Sequence, residues 1–149
     1  MLAYRLPREP STPRIAVWRR LRRLGVAQLL DGLVALPLDA RNKEQLEWVA
    51  ELVADGGGEA TIWTGRPASR LEEVRLVRSL QTTAAADYRK LIDEAVSARG
   101  LEATGRRRTL LRLRRELRRI RLRDHFPPTE SQEARRALDQ LSELVEATT

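Results

Sequence analysis

The chain has 149 residues, 42% hydrophobic and 33% charged, with a net charge of +7 at neutral pH; that length suits one domain, or one domain with a helical appendage, and buries a real core. Zero cysteines exclude disulfides, thiol catalysis and thiolate metal sites, and a single histidine excludes a multi-histidine metal centre within one chain. No apolar run approaches the roughly 20 residues of a membrane-spanning helix and no signal-peptide segment opens the chain, so the expectation is a cytoplasmic, non-membrane protein without metal or cofactor.

Leu2 to Leu6 reads as a short strand ended by Pro7, which cannot donate to a sheet ladder. Ser11 or Thr12 then caps a helix, Pro13 suits its first position and Gly25 suits the left-handed residue after its end. Val17, Leu21 and Leu24 recur at helical spacing with Trp18 beside them, so one face is buried, and Arg19, Arg20, Arg22 and Arg23 fall largely on the other. Val26 to Leu30 and Leu33 to Leu36 flank Asp31-Gly32, which predicts two antiparallel strands joined by a type I′ turn.

Asn42 with Gln45 reads as a capping box opening a helix through Leu46, Val49, Ala50 and Val53, stopped by Gly56-Gly57-Gly58, and Glu59 to Thr64 reads as a further strand. The succession β-α-β-β-α-β over residues 1–66 is the ferredoxin-like arrangement, with both helices on one face of a four-stranded antiparallel sheet. Residues 67–149 are predicted to form a helical extension packed on that domain, which makes the fold class α+β. Ser69 with Glu72 opens its first helix, which runs towards Gly100 with a possible break at Thr82-Thr83. Leu110, Leu113, Leu117 and Ile120, then Ala134, Leu138, Leu141 and Val145, give two coiled-coil-like seams. The linker Asp124-His125-Phe126-Pro127-Pro128, with Thr129 and Gln132 as the next start signal, joins them into an antiparallel helical hairpin.

The charge is concentrated. Residues 1–66 carry a net +2, residues 67–105 carry 0, residues 106–123 carry +9 and residues 124–149 carry −4. One helix therefore holds most of the basic character. Its ten arginines occupy every side except the leucine stripe, so several face solvent or a polyanion. Arg107, Arg108, Arg115, Arg118 and Arg119, together with Arg19, Arg20, Arg22 and Arg23, are the candidate nucleic-acid contacts, and such contacts make binding steeply salt-dependent. The competing possibility is internal pairing with Asp124, Glu130, Glu133, Asp139, Glu143 and Glu146, although six acids do not neutralise ten arginines. Leu111 and Leu122, opposite the main stripe, mark a contact with the first domain or with a second subunit.

The loop before the first helix is a candidate anion site. Arg5, Arg8 and Arg14 lie close in sequence to a helix N-terminus that Ser11 and Thr12 open, where free backbone N–H groups attract an oxyanion or a phosphate. Arg14 either stacks on Trp18 there or pairs with a carboxylate. His125 beside Phe126 reads as a packing or capping residue, since no serine or carboxylate constellation points to it. No glycine loop joins a strand to a helix in the phosphate-binding manner. The chain is therefore expected to have no catalytic residues and to be no enzyme.

Tyr4-Arg5-Leu6-Pro7, Ser11 to Arg14, Val17-Trp18-Arg19, Leu24-Gly25, Asp31-Gly32, Leu36-Pro37 and the late segment Leu117 to Phe126 together resemble the N-terminal region of the ChrB family, regulators associated with bacterial chromate resistance. The chain is more distantly similar to the PaaX family of transcriptional repressors. The resemblance implies a cytoplasmic regulator that binds DNA and loosens its hold when chromate, or another oxyanion effector, is sensed; the chain is expected to act as a homodimer. Longer ChrB members continue into a second domain, and their first strand opens on a longer apolar run than Met1-Leu2. PaaX-like proteins share a ferredoxin-like part with a metal-dependent nuclease, but where that nuclease has a metal-binding Asp this chain has Arg5-Leu6-Pro7-Arg8, which leaves Mg²⁺ without its ligand. The alternative to a DNA-binding regulator is a non-enzymatic interaction module that uses the C-terminal hairpin.

Overall fold

The first strand, β1 (Leu2–Arg5), is followed by α1 (Thr12–Leu24), a hairpin of β2 (Ala27–Leu30) and β3 (Leu33–Ala35), α2 (Ala40–Asp55) and β4 (Glu59–Ile62). Three helices complete the chain: α3 (Arg70–Ala98), α4 (Ala103–Arg123) and α5 (Glu130–Glu146). This computed structural model describes residues 1–148. The chain divides into two compact units, Met1–Val77 and Arg78–Thr149, so that α3 begins in the first and runs on into the second. The class is α+β, as expected, with five helices and one small antiparallel sheet.

In the first unit the sheet order is β2-β3-β1-β4. β1 pairs antiparallel with β3 through Leu2↔Val34 and with β4 through Leu2↔Ile62 and Tyr4↔Ala60. Strand alternation then sends Leu2, Tyr4, Val34, Ala60 and Ile62 to one face. That face meets Val17 and Leu21 of α1 and Leu46, Val49 and Val53 of α2 in one hydrophobic core. Alternation sends Arg5 to the opposite face, where its guanidinium lies 2.8 Å from Glu59.

Local signals were realised unevenly. Gly25 ends α1 in the left-handed region at φ 70° and donates to the Arg22 carbonyl, but Ser11 has helical dihedrals and its side chain caps nothing. The β2–β3 turn is not type I′: among the described residues only glycines have positive φ, so Gly32 (φ 75°) takes it and Asp31 does not. A register shift between Gln28 and Leu30 absorbs the difference. The cap of α2 is Asp39 instead of Asn42. Asp39 Oδ1 accepts from the Asn42 N–H at 2.7 Å, and Asn42 spends its amide on the Pro37 carbonyl.

In the second unit, α3, α4 and α5 share a core of small and branched residues. Ala84, Tyr88, Leu91 and Ala95 of α3 pack with Leu110, Leu113 and Ile120 of α4 and Ala134, Leu138 and Leu141 of α5. The antiparallel hairpin of α4 and α5 is present as expected. Ser69 Oγ accepts from the Glu72 N–H at the start of α3, again as expected. The break foreseen at Thr82-Thr83 does not occur. Both hydroxyls donate back to carbonyls four residues earlier, Thr82 to Arg78 and Thr83 to Ser79, so they are satisfied inside the helix. Thr129 precedes α5 without a side-chain cap; its hydroxyl donates to the Glu130 carboxylate instead.

Glu130 opens α5 and holds Arg89 of α3 at 2.6 Å. Its own backbone N–H, and after that the Arg89 guanidinium, keep its carboxyl below the usual 4.5. A carboxyl with a lowered folded pKa contributes stability above its unfolded value and loses it as pH falls through the folded one. The melting temperature of the helical unit should therefore decline as pH drops below 4.5, and Glu130→Gln should flatten that decline in a pH series of thermal melts.

Candidate nucleic-acid interface

The thirteen residues of α1 include five arginines, Arg14, Arg19, Arg20, Arg22 and Arg23, and no acid. The buried stripe of Val17 and Leu21 turns most of them outward. Among the described residues none of the five makes an ion pair. Arg20 reaches across to α2 and donates to Gln45 Oε1 at 2.6 Å, which fixes it in the layer between the helices. Arg23 leans back on the Arg19 carbonyl at 3.4 Å. Arg22 lies 4.9 Å from the centre of the Trp18 ring, a cation–π contact, and Trp18 is half-exposed. The partner of Trp18 is thus Arg22, one turn on, and not Arg14. Arg14 instead acts on Tyr4, whose hydroxyl pKa is raised by burial, lowered by Arg14 and raised by Asp31.

The anion loop does not converge. Arg5 is on the helix-free face and engaged by Glu59, whereas Arg14 is on α1 beside Tyr4. Arg8 is exposed in the loop, Ser11 caps nothing, and Thr12 is the first residue of α1. Backbone N–H groups remain free at this helix start, but the arginines expected to surround them point to different places.

The arginines of α4 separate into two sets. Arg112 pairs with Glu94 at 2.7 Å, and Arg123 bridges Asp87 at 3.0 Å and Glu116 at 3.7 Å. Arg119 is held loosely by Glu116 at 3.5 Å. Arg114 donates to Ser142, and Arg106 to the Leu101 carbonyl and Thr148. The internal acids are therefore those of α3 and of α4 itself; α5, the expected source, and the residues just after it supply hydroxyls. Arg107, Arg108, Arg115 and Arg118 have no partner among the described residues and share the outward face with Leu111 and Leu122, both at least half-exposed.

Sequence reasoning missed the group that pins the end of α4. Tyr88 is fully buried and its hydroxyl donates to Asp124 Oδ2 at 2.7 Å, beside the Arg123–Asp87 pair. Burial first, and then this hydrogen bond, push the Tyr88 hydroxyl well above the usual range, so it stays a donor. The available signal was Asp87 and Glu94, seven residues apart on α3 and so on one helix face. Among the described residues there is no group of acids or histidine that could hold a metal ion, and no helix is long and apolar enough to cross a membrane.

A family model described as "Protein ChrB, N-terminal" matches residues 14–100. That span begins at Arg14 and includes all of the arginine face of α1, while α4 lies beyond it. No curated protein and no solved structure matches the chain.

Proposed function

This chain belongs to the ChrB N-terminal family, and from that premise we propose that it acts as a DNA-binding transcriptional regulator, or a regulatory module, of chromate resistance. The observation that carries the reading is α1: five arginines, no acid, no ion pair among the described residues and an aromatic in their midst, with all five arginines and the aromatic inside the matched span. Exposed guanidiniums on one helix face suit duplex phosphates, which supply most of the affinity and carry little sequence information. Arg19, Arg22 and Arg23 make the contact. Arg20, tied to Gln45, positions α1 against α2. The same reading takes residues 1–66 as a ferredoxin-like domain, supported by the β-α-β-β-α-β succession with β1 and β3 inside the sheet. It also takes the protein as cytoplasmic, without enzymatic activity or cofactor, and as responding to chromate or a related oxyanion.

Fluorescence anisotropy with the protein's own upstream DNA and a scrambled duplex, across a salt series, tests this. The native sequence should bind more tightly than the scrambled one, and chromate but not sulfate should release it. Arg19→Gln/Arg22→Gln/Arg23→Gln should weaken binding by about tenfold or more at low salt and flatten the slope of log K against log salt by about 2–3. Absence of binding at low salt, or an unchanged slope in the variant, would refute the reading.

A further inference from the structure

Two outward faces of this chain are complementary and neither is covered. On α2, Glu44, Trp48, Glu51 and Asp55 follow one another at spacings of four, three and four residues, so they form one line on the exposed side of the helix. Trp48 is 56% exposed, and the cations of α2 are Arg41 and Lys43, the latter 3.9 Å from Glu47. On α4, Leu111, Arg115, Arg118 and Leu122 repeat the same four, three, four spacing on its solvent side, with Arg107 and Arg108 one turn before Leu111. Leu111 is 50% and Leu122 60% exposed.

We propose that the occupant of the α4 face is α2 of a second copy of this chain. With Trp48 set against Leu111 and the helices parallel, Glu44 falls opposite Arg107 and Asp55 opposite Arg118, and Glu51 comes within one residue of Arg115. Each pair joins a carboxylate to a guanidinium that has no other partner among the described residues, and the indole takes the apolar position between them. A duplex offers the arginines phosphates but offers the leucines nothing comparable, which is why a protein face fits better here. This contact is independent of DNA binding through α1.

Analytical ultracentrifugation of the intact protein, over a range of concentrations and salt, reads it directly. The mass should rise above that of one chain, 17.0 kDa, as concentration increases at low salt, and return to it as salt screens the pairs. Arg115→Glu/Arg118→Glu should stay monomeric, as should Glu51→Arg/Asp55→Arg, and Trp48→Ala should weaken association; all sites are exposed, and circular dichroism checks that each variant keeps its helices. An equimolar mixture of the two charge-reversed proteins should associate again, because each reversed face then meets its complement. Monomeric wild type at every concentration, association indifferent to either reversal, or no rescue in the mixture would overturn the proposal. So would an α4 reversal that leaves self-association intact and abolishes DNA binding alone, since α4 would then be a nucleic-acid surface.

Discussion

Gly58→Ala is expected to unfold residues 1–77 under conditions where the parent is stable. A Cβ on Gly58 would stand 2.2 Å from the Arg5 carbonyl oxygen and 2.9 Å from both Leu6 Cδ2 and Val53 Cγ1. The first of these atoms is backbone and cannot rotate away. Relief requires β4 to retreat from β1, which breaks the pairs Arg5↔Glu59, Tyr4↔Ala60 and Leu2↔Ile62 and opens the core behind them. A forced fit of this kind in a packed core costs about 1–3 kcal/mol, and a clash with backbone belongs at the upper end, a large share of a small domain's stability. Gly57→Ala is the control. Its neighbourhood is open, with Pro7 Cγ at 3.9 Å, and only its φ of 80° opposes a side chain, so the cost should be about 1–2 kcal/mol. Urea denaturation followed by tryptophan fluorescence separates them, because Trp18, Trp48 and Trp63 all lie in this unit.

Tyr88→Ala should be the most damaging single change in the helical unit. The side chain is 1% exposed at the meeting of α3, α4 and α5, and truncating a buried aromatic costs about 3–5 kcal/mol. Asp124 suffers as well: its Oδ2 loses the hydroxyl, and its Oδ1 is buried with no hydrogen bond from the described residues. Tyr88→Phe isolates that second effect. It keeps the ring, strands the carboxylate and should cost about 1–3 kcal/mol. Thermal melts by far-UV circular dichroism should place the two variants in that order, and a Tyr88→Phe protein as stable as the parent would mean that the hydrogen bond carries nothing.

The helices were legible because their signals are short-range. The Ser69 cap and the seams of α4 and α5 depend on residues three to four apart, and each reappears in the structure. Asp39 and Asn42 show the limit of that reasoning, since either can cap. The choice went to Asp39 once the Pro37 carbonyl, outside the helix, claimed the Asn42 amide. The turn at Asp31-Gly32 was misjudged because a register shift in β2 relieved Asp31 of positive φ. Trp18 carried a large apolar side chain next to the buried stripe, yet Val17 and Leu21 filled that stripe and left the indole outside with Arg22.

The candidate site was legible as charge and illegible as pairing. Which arginines of α4 are neutralised depends on Asp87 and Glu94, contributed by another helix 36 and 18 residues away in the chain. Likewise Arg5, Arg8 and Arg14 are neighbours in sequence, but strand alternation sends Arg5 to the far side of the sheet.

The sheet order also sets the sequence of events as the chain is made. β1 sits between β3 and β4, so the first of these four strands to leave the ribosome has one edge open until residue 33 follows and the other until residue 59. The core of the helical unit, by contrast, closes between helices that follow one another directly, and contacts close in sequence form fast. The nascent N-terminal half thus spends part of its synthesis with an unsatisfied strand edge, the condition in which edge-to-edge mispairing between chains begins.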